Sequence, residues 1–396
     1  MPNSNSIFRL KAGFIKSLHE RCMNEGRLVR NALDKEDLEL VGFYEPSQSE
    51  VAKFITVAFW GSLITEEGRN HDFTIALVPP PFDVGRSFIF GDPRPFEPEE
   101  IAKLAPALKP SDTIGVRVQN KKLVIWGYME SVGFGLSIRT LGPGQILVSF
   151  ANEQTNRVFI TGSRANFVDS SRLNLSSTLL RKLSPDPIQA TDIETFKTAF
   201  FRSYDLENIA KAMRAHRHGG TMLLVYPGSE WQTSISQPYH YGGQPFNKTK
   251  NDLERVDRAR GTLKSKELLF PSGEYKDALE IAEKSLESIG QLTAIDGATV
   301  VDYDLAVLAF GVKIMPINSQ NKPERVRVVE PFEGGQKQEV SISDIGGTRH
   351  QSACQFVFDQ REAMAIVASQ DGRLSVFTWD SLREIVTILR HAEVLS

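Results

Sequence analysis

Cysteine is almost missing from this chain of 396 residues: Cys22 and Cys354 are the only two. Two thiols cannot build a disulfide framework, and they lack the paired spacing of a zinc site, so a reducing compartment, the cytoplasm, is expected. Long apolar runs are missing as well. Met1 to Lys11 has no signal-type apolar core, and the most apolar later stretch, Leu292 to Ile317, is broken by Asp296, Asp302, Asp304 and Lys313. No segment reads as a bilayer span, and no membrane partner is expected. Nor is there a surplus of one charge: 46 Lys and Arg against 49 Asp and Glu leave a net charge of −3. With 24% charged and 41% hydrophobic residues the balance is globular, which excludes wholesale disorder and a polycationic nucleic-acid coat.

What is present is enough chain for two to three domains at roughly 150 residues each. Leu10, Phe14, Leu18 and Cys22 recur at helical spacing and predict a first helix. Ser47 and Glu50 have capping-box spacing ahead of Val51, Phe54, Ile55, Ala58 and Phe59, predicting a second that ends near Gly61. A strand is expected over 73–78, stopped by Pro79, Pro80 and Pro81. Ile114 to Val118 with Leu123 to Tyr128, and Gln145 to Phe150 with Arg157 to Thr161, read as antiparallel hairpins. Residues 1–175 therefore form an expected α+β domain with an antiparallel sheet, followed by a connecting segment over 176–200. Gly133-Phe-Gly135 and Gly142-Pro-Gly144 are turns in this reading, since neither has a phosphate-loop pattern.

Residues 201–396 have a different rhythm. Leu206, Ile209, Ala210 and Met213 mark a helix that stops at Gly219-Gly220 and passes into a strand over 221–226. Residues 227–273 read as polar surface excursions, and the Lys248 to Lys266 basic stretch, interleaved with acids, as a solvated helix face. Leu279, Ala282, Leu286 and Ile289 mark another helix, followed by strands over 298–301 and 305–314. A polar insertion spans 315–340. Strands over 363–369 and 374–379 follow, and Ser381 with Glu384 predicts a capping box for a closing helix through Leu382, Ile385 and Leu389. His216 and His218 read as a solvated helix cap, without the acid or third histidine that a metal site needs.

Two short segments carry chemistry. In Asp296-Gly297-Ala298 a carboxylate at a helix-to-strand junction can meet a metal or a hydroxyl while bare backbone approaches a ligand. In Gly347-Thr348-Arg349-His350 glycine turns backbone amides toward an anion, arginine offers a planar fork to phosphate, threonine a hydroxyl, and histidine a metal ligand or proton carrier. Alone, each segment reads first as a turn.

Together and in this order, the two resemble the signatures Asp-Gly-Ala and Gly-Thr-Arg-His-Arg of the diadenylate cyclase domain of DisA-N type. Gly219-Gly220-Thr221-Met222-Leu223-Leu224-Val225 resembles that family's opening strand, and Ala365 to Gln370 its apolar strand ending in a Ser-Gln pair. Residues ahead of about 175 resemble a sensor-like N-terminal variant region attached to some such cyclases. The resemblance implies a mixed β-sheet flanked by helices over 201–396, so the whole chain combines α/β and α+β parts. It implies condensation of two ATP into cyclic di-AMP and two pyrophosphates between face-to-face copies of a homo-oligomer, with Mg²⁺ or Mn²⁺, under control of the N-terminal domain. The catalytic residues would be Asp296, Arg349 and His350. Asp296 would be a metal ligand and hydroxyl activator, His350 a metal ligand from the facing subunit, and Arg349 a phosphate contact. Gly297, Ala298, Gly347, Thr348 and Ser369 would complete the nucleotide site. No dedicated DNA-binding domain is expected.

The chain departs from the pattern at Gln351, where the family has a third basic residue, and in the longer span between the motifs. The insertion over 315–340 covers the site or contacts another subunit in this reading. Two alternatives remain open: a nucleotide-binding sensor protein without turnover, and a cyclase that uses other nucleotides.

Overall fold

In the computed structural model of the chain, Ser47 and Glu50 form the reciprocal cap that their spacing predicts. The Glu50 amide donates to Ser47 Oγ at 3.3 Å and the Ser47 amide to Glu50 Oε2 at 2.7 Å. The structure describes residues 8, 10–32, 38, 43–80, 87–108, 112–129, 135–150, 157–169, 205–226, 228–236, 248–260, 273–318, 320–335 and 337–394. Two compact units divide the chain, Met1–Asp169 and Ser170–Ser396. The expected connecting segment over 176–200 lies outside the described residues.

The first unit is an α+β arrangement of helices α1 (Ala12–Ala32), α2 (Gln48–Gly61) and, after β1 (Thr74–Leu77) and β2 (Ser87–Pro95), α3 (Pro98–Leu104). The strands β3 (Thr113–Gln119), β4 (Lys122–Met129), β5 (Leu136–Gly142), β6 (Gln145–Phe150), β7 (Arg157–Thr161) and β8 (Arg164–Phe167) complete it. The eight-stranded sheet runs β2-β4-β3-β1-β5-β6-β7-β8. Both expected hairpins form, and pairing is antiparallel except between β1 and β3, which run parallel.

Alternation assigns each strand residue to a face. Ile75 and Leu77 join Ile15, Leu18, Val51, Phe54 and Phe59 in a core under the helices, while Ala76 packs with Trp126 on the opposite face. Each large apolar side chain fully buried there contributes roughly 1.5–3 kcal/mol. Gly142 and Gly144 flank the turn between β5 and β6, as their sequence context predicts; Gly133 lies outside the described residues.

The second unit is a nine-stranded mixed sheet flanked by helices on both faces. It comprises α4 (205–215), β9 (Gly220–Val225), β10 (Ile235–Ser236), α5 (Lys248–Arg260), α6 (Gly273–Leu292), β11 (Ala298–Asp302) and β12 (Val307–Ile314), followed by β13 (Arg325–Val329), β14 (Lys337–Ser341), α7 (Thr348–Asp359), β15 (Met364–Ala368), β16 (Leu374–Asp380) and β17 (Ile385–Arg390). Strand order is β10-β12-β11-β9-β15-β16-β17-β13-β14. All six residues of β9 are buried because both of its faces are covered. Met222 and Leu224 pack with α4 and α6, and Leu223 and Val225 with Ala353, Cys354, Phe356 and Val357 of α7.

Two expectations in this unit need correction. Ser381 and Glu384 do not start a helix; residues 381–384 turn and Ile385–Arg390 form β17. The Asp380 carboxylate takes the amides of Leu382 at 3.2 Å and Arg383 at 3.3 Å, an Asx turn that competes with helix initiation, and Glu384 has φ +49°. The insertion over 315–340 carries strands of its own: β13 pairs parallel with β17 and antiparallel with β14, so it widens the sheet. Within 227–273, α5 is no excursion, since Leu253 and Val256 are buried in the core they share with α6.

Candidate functional site

Strand register decides which sequence motifs meet. Ala298 of β11 pairs with Thr221 of β9, Gly220 of β9 with Ala368 of β15, Ala368 with Leu374 of β16, and Ser375 of β16 with Arg390 of β17. Five strand ends therefore lie in one row at one end of the sheet. Asp296 and Gly297 precede β11, Gly219 precedes β9, Ser369 follows β15, and Arg390 ends β17.

Asp296 is exposed and makes no hydrogen bond or ion pair among the described residues. Gly297 behind it has φ +107°, and a Cβ there would lie 2.6 Å from the Gly311 carbonyl carbon and 2.8 Å from the Val312 carbonyl oxygen. Glycine is needed at this point because the chain passes against β12, and this close approach fixes where the aspartate leaves the sheet. Ala298 is buried at the first position of β11.

The second motif opens α7. Gly347 is its N-cap without a side-chain cap bond, so Thr348, Arg349 and His350 are its first three residues and their exposed end is a natural anion seat. Arg349 reaches back across the sheet end: a Cβ on Gly219 would stand 2.9 Å from its Nη1 and 3.2 Å from the Ala368 carbonyl oxygen. Like Asp296, it has no hydrogen-bonded or ion-paired partner among the described residues. Gln351 turns away and donates from Nε2 to the Gly346 carbonyl at 3.1 Å, bracing the loop ahead of the helix.

His350 lies farther along the row. Its Nε2 is 3.3 Å from Ser375 Oγ and its ring meets Phe377 edge-on, with centroids 5.9 Å apart. Burial and then the nearby Arg390 charge hold its imidazole below the ordinary histidine range, against an opposing pull from Asp371, so the ring is neutral at pH 7. Arg390 itself donates to the Asp344 carbonyl at 3.0 Å. Ser369 donates to the Asp371 carboxylate, and its hydroxyl also sits 3.2 Å from the Arg373 carbonyl.

The arrangement brings Asp296 and Gly219 onto neighbouring strand ends and lays Arg349 of α7 against Gly219. It does not bring Asp296 to His350: the β11 and β16 ends are three strand spacings apart, roughly 14 Å. Among the described residues no three His, Cys, Asp or Glu side chains gather into a metal site. One carboxylate per copy fits a divalent ion that arrives on phosphate oxygens, which would supply most of its hard ligands.

Two contributors escape sequence reasoning. Arg390 sits 40 residues past the motif it neighbours, at a strand end read as helix. His216 is half-buried, not a solvated cap, and its Nε2 is 3.1 Å from Thr293 Oγ1, 77 residues away. No local pattern announces either contact.

Residues 43–130 match the family model described as a probable sensor domain, DACNV. No curated protein matches the chain. Among solved structures, a hypothetical membrane spanning protein from Bacillus cereus is 14% identical, over 54% of this chain and 87% of that one, with a TM-score of 0.24. Among the described residues no helix is long and apolar enough to cross a membrane.

Proposed function

We propose that the chain is a diadenylate cyclase that joins two ATP molecules into cyclic di-AMP and two pyrophosphates under the control of its N-terminal unit. The observation that carries this reading is that both motifs reach one end of the sheet: Asp296 precedes β11, and Arg349 of α7 lies against Gly219, which precedes the adjacent β9, so an unpartnered carboxylate and an unpartnered guanidinium share that end. A triphosphate laid across that end would meet Arg349 and the free amides of α7, which offset its charge. Asp296 would then face the ribose, where it orients the 3′-hydroxyl and accepts its proton as the oxygen attacks the α-phosphorus of the second ATP in line with the departing pyrophosphate. Mg²⁺ or Mn²⁺ carried on the phosphates would neutralise charge there, with Asp296 as its carboxylate.

The separation of Asp296 from His350 supports a reaction centre shared by two copies. Each copy then offers its own Asp296 and Arg349 together with a His350 that acts on the facing nucleotide, and the homo-oligomer is part of the mechanism. The match of residues 43–130 to a probable sensor domain supports the regulatory half of the reading. A signal there would act by changing how often two centres meet.

A second reading, a nucleotide-binding sensor without turnover, is favoured by Gln351, whose amide is committed to the Gly346 carbonyl and adds no charge to the phosphate seat. Incubation of the full chain with ATP and Mn²⁺ separates the two. Cyclic di-AMP in the product supports the cyclase, whereas calorimetric ATP binding without product, from protein shown to self-associate, selects the sensor. Asp296→Asn is expected to abolish product without lowering the melting temperature.

A further inference from the structure

We infer that His216 is a positioning residue of this site, a role that rests on the cyclase reading above. The case begins with the hydrogens. Thr293 donates its hydroxyl proton to the Gly290 carbonyl at 2.7 Å, so its oxygen can only accept from His216 Nε2, 3.1 Å away. On the other side of the ring the His218 amide donates to His216 Nδ1 at 3.1 Å. Both nitrogens are thereby assigned, and the imidazole is the neutral Nε2–H tautomer. Burial, then the charges of His218 and Arg349, push its pKa the same way.

The ring joins two pieces of chain that the site needs held together. Thr293 begins the three-residue approach to Asp296. The turn 217–219, in which Arg217 has φ +57° and Gly219 φ +70°, is the shelf across which Arg349 lies. Gly220 presses directly on Thr293, since a Cβ there would stand 2.5 Å from its Oγ1. Because Arg349 has no bonded partner among the described residues, its place depends on that shelf. One imidazole thus sets the spacing between the group that handles the hydroxyl and the group that handles the phosphate.

His216→Ala and Thr293→Val should each lower kcat by about tenfold while the ATP dissociation constant changes by less than about threefold, and the double variant should be no worse than either single. His216→Gln, which can restore the donor toward Thr293, should recover part of the loss. The ¹⁵N resonances of the His216 ring near neutral pH should report the Nε2–H tautomer in the wild-type protein, a readout that does not require turnover. Wild-type protein that makes no product overturns the cyclase reading and this role with it. Wild-type turnover with kcat unchanged in the variants, or with additive losses, overturns the positioning role alone. So does a protonated or Nδ1–H ring, or loss of the fold in every His216 variant.

Discussion

Gly297→Ala probes the backbone that aims Asp296. At φ +107° an alanine is outside the regions open to L residues, a strain of about 1–3 kcal/mol. The new Cβ would also stand 2.6 Å from the Gly311 carbonyl carbon and 2.8 Å from the Val312 carbonyl oxygen. Those atoms are strand backbone and cannot rotate away, so β11 and β12 must part, at a further cost of about 1–3 kcal/mol. Together the change should destabilise the unit by about 2–6 kcal/mol. Gly334→Ala is the control: φ is +71° and nothing lies within 4 Å of the added carbon, so only conformational strain of about 1 kcal/mol remains. Urea unfolding, fitted as separate transitions because two units need not unfold together, measures both. Equal costs for the two variants would refute the steric part of the argument. Gly297→Ala protein that stays folded should also lose turnover, since Asp296 leaves the sheet from the adjacent residue.

Three other outcomes follow from the packing. Burial would raise the Asp380 carboxyl, but its bonds to Arg383, with Arg327 3.2 Å away, outweigh that and hold it below the ordinary range. Asp380→Asn should therefore cost up to about 1 kcal/mol at neutral pH, full above the unfolded value of about 3.9 and lost as pH falls through the lower folded value, read from urea midpoints across pH. The Cys22 and Cys354 thiols are buried and pushed up to about 12, chiefly by desolvation, so Ellman's reagent should label neither until the protein is unfolded. Trp126→Phe removes a buried indole donor to the Val78 carbonyl at 2.9 Å and should lower stability of the first unit by about 1–3 kcal/mol in the same urea assay.

Local signals predicted local structure well. The cap at Ser47, the periodicity of α1, α4 and α6, and the buried run of β9 each arise from interactions within a few residues of one another. Residues 381–390 show the limit: a capping-box spacing and an apolar stripe are compatible with helix, but Asp380 closes a turn, and neighbouring strands on both sides recruit β17 into the sheet. The polar residues over 325–341 hid β13 and the edge strand β14 for a related reason, since an edge strand need bury little and β14 is mostly exposed. At the candidate site the motifs were legible as residue types, but their adjacency was not. That depends on β11 lying beside β9 and on Arg349 reaching Gly219, and His216 became visible only through a contact 77 residues long.

The most direct test of a centre shared between two copies is a mixing experiment. Asp296→Asn and His350→Ala proteins are each assayed alone with ATP and Mn²⁺, then combined, with products identified by mass spectrometry. In a mixed pair one centre has lost both groups and the other retains both, so the mixture should form the single linkage of linear pppApA while neither variant alone does. No linkage from a mixture shown to exchange subunits, or full cyclic di-AMP from either variant alone, would contradict the account.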